Sequence, residues 1–364
     1  MTFETLLLAA TILYLIQTGI FLWGVRRSGY PQQNAAQPLV SIVIAARNEE
    51  RNLRDCLTSV LNQTYPSDRF EVIVANDGST DGTDLICDDF RNRYSNFSWF
   101  TTLPDQRLRG KTNALAQAID KAQGEIILIT DADCVVPHTW VEETTRYYTP
   151  ELGIMGGITL QEASRPFHGM QSLDWAYLLG VASAAVQLHT PLSTIGNNLS
   201  FRKEAYEAVG GYRKIPFSVT EDYTLFQTII NSGKWQYAYP INERLLVMSK
   251  PCQTLRDLIR QKHRWGKGGL DMKVAGFLIM AVSYTLHGSL LVGLSGLAFL
   301  SASIAFIVKS CADYLFVHRV LAPLRRTDLL RYFWYFQLYF ILYVLFLPFL
   351  VAFGGKVVWK GRKY

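Results

Sequence analysis

Two aspartates separated by a single residue follow a short apolar run near the middle of the chain. Asp131 and Asp133 come directly after Ile126–Thr130, whose composition predicts a strand buried on both faces. Open α/β sheets bind ligands at the carboxyl ends of their strands. Two carboxylates there offer the hard oxygen ligands that Mg²⁺ and Mn²⁺ prefer, with the phosphates of a nucleotide completing the coordination. An acidic turn after a strand has the same composition and stays open as the alternative.

Acidic side chains also follow two other predicted strands. Leu39–Ala45 is followed by Glu49, and Phe70–Ala75 is followed by Asp77, while Trp99–Leu103 predicts a further strand. The segments between them have helical spacing, and strands alternating with helices of about 10 to 15 residues indicate a mostly parallel sheet. The carboxyl ends of parallel strands share one edge, so we expect these polar residues to collect there.

The sequence lacks two familiar phosphate-binding motifs. No G-x-G-x-x-G follows Leu39–Ala45, which argues against a dinucleotide site of the Rossmann type. Gly110-Lys111-Thr112 matches the end of a P-loop, but Asp105 stands where that motif has its first glycine. Taken alone, Lys111 is therefore a solvated lysine at the start of a helix.

The distribution of charge predicts a soluble domain held between membrane segments. The chain of 364 residues is 49% hydrophobic and has a net charge of +6, which favours an anionic membrane surface over nucleic acid as its partner. Leu6–Val25 contains no charged residue and is followed by Arg26 and Arg27. Residues 1–27 are therefore predicted to be a transmembrane anchor with its C-terminal end in the cytoplasm, followed by a linker at Ser28–Pro38.

Two uncharged runs near the C-terminus predict further membrane segments. Val274–Val308 is long for one span, so we expect a hairpin of two spans that turns near His287–Gly293, with one long tilted helix as the alternative. The basic segment Lys309–Arg331 is expected to be cytoplasmic and interfacial, and Phe333–Phe353 is a further apolar run before the basic tail of residues 356–364. The last run cannot cross once and keep both basic flanks in the cytoplasm, which leaves the topology open.

Several sequence blocks resemble those of the family 2 glycosyltransferases, which are inverting nucleotide-sugar enzymes with a GT-A fold. The resemblance runs from about Val40 to Trp265 through SIVIAARNEE, VANDGSTDGT, GKTNALAQA, ITDADC and TED, closed by QKHRW. It implies an α/β fold with a Rossmann-like, mostly parallel sheet at residues 38–250 and an interfacial amphipathic helix at residues 251–273. With the apolar runs, this domain is flanked by N-terminal and C-terminal transmembrane helices, the latter within residues 274–364.

The resemblance implies a role in donor binding for each matching residue. Glu49 and Asp77 would line the pocket for the base and ribose of the nucleotide, and Lys111 would lie beside the nucleotide. Asp131 would contact the nucleotide, and Asp133 would bind the Mn²⁺ or Mg²⁺ that bridges its phosphates. Without the resemblance, Asp77 is better explained as part of a simple turn at Asp77-Gly78.

The same resemblance implies which residue is the general base. An inverting transfer needs one group to take the proton of the acceptor hydroxyl, and a carboxylate within hydrogen-bond distance suffices. Asp222 in the T-E-D block would take this role, with Glu221 as a supporting neighbour. Thr220-Glu221-Asp222 could also cap a helix predicted at Tyr223–Ile230, and the two roles are compatible.

Gln261, Arg264 and Trp265 match the Q-x-x-R-W motif. By resemblance they would bind the nucleotide sugar, Arg264 through a charge-assisted fork to the diphosphate and Trp265 through a flat surface for a sugar ring or the acceptor. The segment also predicts a basic amphipathic helix at the bilayer surface. Upstream, Ile154–Leu160 predicts one strand, and Phe167–Leu188 predicts a helix that belongs either to the core or to the membrane interface.

The sequence thus favours a multi-pass enzyme of the cell membrane with a cytoplasmic catalytic domain, which transfers a sugar such as glucose from a UDP-linked donor. Q-x-x-R-W occurs both in processive polysaccharide synthases and in lipid glycosyltransferases. A polymer conduit usually needs more spans than the three or four expected here, so we expect a lipid acceptor of the hydroxycarotenoid, ceramide or diacylglycerol type. A polysaccharide synthase is the alternative. A non-catalytic nucleotide-sugar-binding subunit is disfavoured because all the motif residues are present.

Overall fold

The structure is a computed structural model that describes residues 2–27, 36–216, 218, 220–355, 358–359 and 362–363. Its contacts divide the chain into two compact units. The sheet unit consists of Gly29–Leu160 and Thr194–Lys250, and the helical unit consists of Met1–Ser28, Gln161–Ser193 and Pro251–Tyr364. Most of the predicted linker Ser28–Pro38 and part of the basic tail lie outside the described residues.

Strands and helices alternate through the sheet unit, and long helices make up most of the helical unit. The strands are β1 Val40–Ala46, β2 Phe70–Asn76, β3 Phe97–Thr101, β4 Ile126–Asp131, β5 Cys134–Val135, β6 Leu152–Gly156, β7 Thr159–Gln161, β8 Leu199–Arg202, β9 Gln236–Ala238, β10 Val247–Ser249, β11 Val358–Trp359 and β12 Arg362–Lys363. The helices are α1 Phe3–Arg26, α2 Leu53–Leu61, α3 Thr83–Arg93, α4 Gly110–Lys121, α5 Trp140–Tyr147, α6 Pro166–Gln187, α7 Lys203–Ala208, α8 Gly211–Lys214, α9 Glu221–Asn231, α10 Leu255–Gly268, α11 Val274–Val292, α12 Phe299–Leu321 and α13 Phe333–Phe353.

The central sheet has the strand order β3-β2-β1-β4-β8-β6-β9. β1 is parallel to both β2 and β4, and β2 is parallel to β3, whereas β8 is antiparallel to β4 and β6. The prediction of a mixed α/β fold with a largely parallel sheet is confirmed for these first four strands. In register, Ala45 of β1 lies opposite Asp131 of β4, and Ala46 lies opposite Asn76 of β2. The strands that precede Glu49, Asp77 and Asp133 therefore end at one edge.

The first strand is held in the middle of the sheet by burial on both faces. Ile42, Val43 and Ile44 are all fully buried, as expected for an apolar run in a parallel sheet. The turn before β4 packs directly on this strand at Gly124, whose N–H donates to the Ser41 hydroxyl over 2.8 Å. A Cβ at Gly124 would lie 2.4 Å from the Ser41 backbone nitrogen, so only glycine permits this approach.

The segment Ile154–Leu160 differs from the single strand that its sequence predicts. It contains the end of β6, which belongs to the central sheet, and the start of β7, which belongs to a separate three-stranded sheet of order β5-β10-β7. Gly156, the last residue of β6, and Gly157, which follows it, allow the chain to change sheets. A Cβ at Gly156 would lie 2.4 Å from the Tyr239 ring, and one at Gly157 would lie 2.5 Å from the Asn198 amide.

Among its described residues, the helical unit contains four segments that are long and apolar enough to cross a membrane: Phe3–Arg26, Val274–Leu297, Phe299–Leu321 and Thr327–Phe353. The expected helices at both ends of the chain are therefore confirmed. α6 is buried along most of its length and packs in the same unit, which favours the core alternative for this helix.

The C-terminal hairpin is present, but two details of its prediction are wrong. The break falls at Gly293–Leu297, where Gly296 has φ of +121°, and not at His287–Gly293. The second helix then continues to Leu321 through Lys309, which is fully buried. The expected interfacial segment Lys309–Arg331 therefore begins inside a helix, because its lysine has partners there.

A buried polar network joins four helices of this unit. Asp313 on α12 accepts a hydrogen bond from the Tyr14 hydroxyl at 2.7 Å and pairs with Lys309 at 2.8 Å. The Lys309 amine also donates to Gln337 Oε1 on α13 at 2.6 Å, and the hydroxyls of Tyr14 and Tyr177 are 3.1 Å apart. Because a buried charge without a counter-charge is costly, this network requires α1, α6, α12 and α13 to keep their relative positions.

Asp313→Leu is expected to lower the free energy of unfolding by about 3–5 kcal/mol, because it leaves Lys309 as a buried charge without its partner. The double variant Lys309→Met/Asp313→Leu is expected to recover most of that loss, since apolar replacement of a whole buried pair is often neutral. Thermal unfolding in detergent measures both, with Cys311→Leu at an exposed position of α12 as the control. A wild-type midpoint for Asp313→Leu would contradict this role.

Candidate functional site

The edge of the sheet at the end of β4 presents Asp131 to solvent while holding its backbone firmly. Thr130, the residue before it, is fully buried, and its hydroxyl donates to the Asn197 carbonyl at 3.0 Å. This bond ties the end of β4 to the turn at Gly196–Asn198, which precedes β8. The Asp131 side chain remains about one-third exposed, at 34%. A rigid strand end with an accessible carboxylate suits ligand binding.

Lys111 links Asp131 to the start of a helix that is distant in sequence. The lysine lies in the first turn of α4, where Gly110 has φ of +56°, a conformation that favours glycine. Its amine lies 2.7 Å from Asp131 Oδ1 and 3.2 Å from Glu221 Oε1. Glu221 is the first residue of α9 and is almost buried. One ammonium group therefore holds the end of β4 and the beginning of α9 together.

The electrostatics of this cluster keep the lysine charged. Burial by itself lowers the pKa of Lys111, but the carboxylates of Asp131, Glu221 and Asp222 outweigh it and raise the pKa above its usual value. The amine is therefore protonated throughout the physiological pH range. It can neutralise negative charge at this edge, but it cannot act as a general base there.

Asp222, the predicted base, lies beside the turn that receives the Thr130 hydrogen bond. A Cβ at Gly196 would lie 3.0 Å from the Asp222 Oδ2 atom, so a side chain at this position would crowd the carboxylate. The Tyr223 N–H donates to Asp222 Oδ1 at 2.8 Å and orients it. The absence of a side chain at Gly196 therefore leaves room beside the Asp222 carboxylate.

The predicted capping role of the T-E-D block is wrong for its threonine. α9 begins at Glu221, two residues before the predicted start at Tyr223, and Thr220 occupies the N-cap position. Within the part of the chain that is described, the Thr220 side chain makes no capping hydrogen bond. Both acids therefore lie in the first turn of the helix, where the positive end of the helix dipole favours carboxylates.

Asp77 is fixed by a residue that sequence reasoning missed. The Arg47 guanidinium donates to the Asp77 carbonyl at 3.0 Å and lies 3.5 Å from its carboxylate. The Asp77 N–H also donates to the Ala46 carbonyl at 2.8 Å. Arg47 follows β1 as Asp77 follows β2, and their position after neighbouring strands was the signal that could have linked them.

The loop that carries Glu49 is held against the loop after β2. The Glu49 N–H donates to Thr83 Oγ1 at 2.9 Å, and Asn52 donates to Glu49 Oε2 at 3.0 Å. In the other direction, the Gly82 N–H donates to Glu50 Oε2 at 2.9 Å. These reciprocal bonds fix the two loops relative to each other.

The residues of the Q-x-x-R-W motif lie in the helical unit. Gln261, Arg264 and Trp265 all belong to α10, which spans Leu255–Gly268. The interfacial position of the segment 251–273 stays a prediction. The sheet unit thus brings together Lys111, Asp131, Glu221 and Asp222, with Glu49, Asp77 and Asp133 at the same strand ends.

Comparison with known families agrees with this arrangement of motifs. The profile of Glycosyl transferase family 2 matches residues 41–210, and the profile of Glycosyl transferase family group 2 matches residues 126–353, which is more than half of the chain. The chain belongs to the family 2 glycosyltransferases. The second match runs from β4 to the end of α13, so it includes α10 and the C-terminal apolar helices.

This glycosyltransferase is similar to several known bacterial proteins. It is 28% identical over 244 residues to a poly-beta-1,6-N-acetyl-D-glucosamine synthase of Staphylococcus epidermidis, covering 65% of this chain and 56% of that protein. It is 27% identical over 245 residues to a probable glycosyltransferase of Bacillus subtilis, covering 64% and 55%. The chain thus spans little more than half the length of these relatives.

A solved structure confirms the GT-A-like fold of the glycosyltransferase. The mannosyltransferase of Pyrobaculum calidifontis, solved with GDP-Man and Mn²⁺, has a TM-score of 0.62 and 19% sequence identity. The match covers 98% of this chain and 100% of that one.

The acids at the end of β4 fit a divalent metal of the kind that this fold family implies. Burial raises the pKa of the Cys56 and Cys134 thiols, and the charges of Asp133 and Asp131 raise it further, so these neighbours are not soft thiolate ligands. Within the described residues, no group of three or more His, Cys, Asp or Glu side chains could hold an ion. An ion here would rest on one or two carboxylates and take its other ligands from phosphate and water, as Mg²⁺ does.

Lys111→Met is expected to reduce the transfer rate of the glycosyltransferase by about 100-fold, because misplacement of reacting groups is that costly. It should also lower the free energy of unfolding by about 1–3 kcal/mol, since Glu221 loses its partner in a nearly buried position. Lys121→Met, at the exposed last turn of α4, is the matched control. Sugar transfer and thermal unfolding are measured on both, and wild-type transfer by Lys111→Met would disprove the linking role.

Proposed function

We propose that the protein is a membrane-bound inverting enzyme that transfers a hexose, glucose in the first instance, from a UDP-linked sugar to the hydroxyl of a lipid. One observation carries this proposal. The Lys111 amine lies 2.7 Å from Asp131 and 3.2 Å from Glu221, so a single cation connects the end of β4 with the helix turn that carries Asp222. A donor-binding acid and a base for the acceptor would have to be held together in this way.

On the donor side, Glu49 and Asp77 bind the base and ribose where the loops after β1 and β2 meet. Asp131 contacts the nucleotide, and Asp133 holds the metal. The Lys111 ammonium already occupies Asp131 Oδ1, which favours Asp133 as the metal ligand because two cations would repel each other at one carboxylate. When bound, Mn²⁺ or Mg²⁺ stabilises the negative charge that develops on the diphosphate leaving group.

On the acceptor side, Asp222 takes the proton of the acceptor hydroxyl. The hydroxyl oxygen then bonds to the anomeric carbon as the bond from that carbon to the diphosphate oxygen breaks, and the configuration inverts. The Glu221 carboxylate is already engaged by the Lys111 ammonium at 3.2 Å, which favours Asp222 as the group that meets the acceptor hydroxyl. The missing side chain at Gly196 supports this assignment, because the acceptor needs space beside Asp222 Oδ2.

The motif on α10 has a further proposed role, which rests on the family resemblance. Arg264 and Gln261 bind the diphosphate and the sugar, and Trp265 offers its ring to the sugar or the acceptor. An arginine fork suits a diphosphate, since its two N–H groups match phosphate oxygens and strengthen as charge accumulates.

Four apolar helices support a lipid acceptor and a place in the cell membrane, with the catalytic domain in the cytoplasm. The names of the staphylococcal relatives favour a second candidate, a processive polysaccharide synthase. The size of the product distinguishes the lipid glycosyltransferase from the polysaccharide synthase. Purified protein is incubated with labelled UDP-glucose or UDP-N-acetylglucosamine, Mn²⁺ and a lipid extract, and a single-sugar lipid product supports the first candidate. A labelled polymer supports the second, and intact donor binding without turnover supports a non-catalytic subunit.

Asp222→Asn is expected to reduce transfer by a factor of about 10² to 10⁴, the contribution typical of a general base. Its affinity for UDP should remain close to that of the wild type, since the substituted group faces the acceptor. Asp68→Asn, an exposed acid in the turn before β2, makes the same chemical change away from the strand ends and is the control. Initial rates and calorimetric titration with UDP provide the measurements, and transfer at the wild-type rate would rule out Asp222 as the base.

Asp133→Asn is expected to weaken Mn²⁺ binding in the presence of UDP by about 10-fold or more, because an amide oxygen carries no charge for the ion. Electron paramagnetic resonance of free Mn²⁺ measures the binding directly, without reference to turnover. Asp131→Asn should affect metal affinity less, since Lys111 already neutralises that carboxylate. If Asp131→Asn weakens Mn²⁺ binding more than Asp133→Asn, the two assignments must be exchanged.

A further inference from the structure

The motif helix α10 is joined to α6 by a buried ion pair that the proposed chemistry does not use. The Lys262 amine bonds to the Asp174 carboxylate, and the two side chains are only 3% and 1% exposed. Lys262 stands at the first variable position of the Q-x-x-R-W motif, directly after Gln261. A lysine is rarely buried unless its charge is paired, since desolvation of that charge costs several kcal/mol.

The lysine also contacts the aromatic ring of the motif. Its amine lies 4.4 Å from the centroid of the Trp265 ring and 4.8 Å from that of Tyr343 on α13. The Trp265 ring is in turn 5.3 Å from the ring of Trp175 on α6, at an angle of 50°. Cation–π attraction of this kind is strongest where the cation is desolvated, as here. Trp265 is therefore held by one cation and one neighbouring ring, both tied to α6.

The energetics of buried ion pairs indicate that Lys262 and Asp174 contribute more to the orientation of α10 against α6 than to the free energy of unfolding. Replacing a buried ion pair by apolar residues of similar size is often neutral or stabilising, so a leucine–methionine contact could hold α6 and α10 together equally well. Such an apolar contact does not fix the relative orientation of the two helices. An ion pair allows few arrangements, because any other leaves a charge buried without a partner.

We propose that Lys262 and Asp174 are positioning residues, which fix the Trp265 ring in the orientation required for contact with the acceptor. The inference rests on the proposed function, because it presumes that Trp265 meets the acceptor. It adds a specificity device to that function: the pair acts on acceptor binding through Trp265, while donor binding at the sheet edge does not depend on it.

The decisive variant is Lys262→Met/Asp174→Leu, which removes both charges together and is expected to fold. We expect its acceptor KM to rise by about tenfold or more, since small misplacements of a contact surface are costly, while donor hydrolysis in the absence of acceptor changes by less than about twofold. Arg260→Met removes an exposed basic side chain from the same helix and is the matched control. If the double variant folds and keeps the wild-type acceptor KM, the pair is structural only and the proposal is wrong.

A double-mutant cycle shows whether the effect passes through Trp265. Trp265→Phe is introduced into the wild type and into Lys262→Met/Asp174→Leu, and acceptor KM is measured for all four proteins. Non-additive effects are expected, because Trp265→Phe should raise acceptor KM less when the Trp265 ring is already misoriented. Additive effects would overturn the inference.

A spectroscopic readout separates this inference from the proposed function. The Trp175 and Trp265 rings are close enough for exciton coupling, so the circular dichroism lost on Trp265→Phe should be smaller in the double variant than in the wild type. Wild-type protein that transfers sugar to none of the acceptors tested would defeat the proposed function while this optical comparison still tests the orientation. An unchanged difference spectrum would defeat the positioning role even in an active enzyme.

Discussion

The ion pairs of Lys111 are the interaction on which the candidate site depends. Asp131 ends a strand, and Glu221 begins a helix ninety positions later, and no local rule of chain geometry brings them together. The single ammonium group between them, at 2.7 Å and 3.2 Å, does so. It also prevents three carboxylates from repelling one another at one sheet edge. An acidic site for a negatively charged donor is feasible only with cations of this kind, from the protein or from a metal.

Strand register provides the second constraint. Since β1 pairs with β2 on one side and β4 on the other in matching register, the residues after all three strands emerge together. That outcome could be predicted from the sequence, because doubly buried apolar runs separated by helices specify a parallel sheet and polar residues mark the strand ends. Glu49, Asp77, Asp131 and Asp133 were found in this way, with the ordered motifs assigning their roles.

Other features depend on tertiary contacts, which cannot be predicted from the spacing of residues in the sequence. The strand predicted across Gly156 and Gly157 divides between two sheets, because side chains from distant segments occupy the space beside each glycine. The basic residues from Lys309 onward predict a solvated segment. A lysine can be buried in an apolar helix only where partners such as Asp313 and Gln337 satisfy its charge, and the sequence does not show these contacts. The contacts of Arg47 and Gly196 could not be predicted for a similar reason. Their effect depends on which atoms lie next to them in the folded chain. The sequence shows residue types but not these contacts.

Charge pairing through lysine recurs in both units of the chain. Lys111 joins α4 to β4 and α9, Lys262 joins α10 to α6, and Lys309 joins α12 to α13 and to the network of Asp313. Apolar packing is tolerant of small shifts between elements, whereas a buried charge fixes the position of its partner to within hydrogen-bond distance. An enzyme that must align a donor, an acceptor and a base gains more from fixed positions than from additional stability. The three lysines therefore fix the relative positions of the elements that they join.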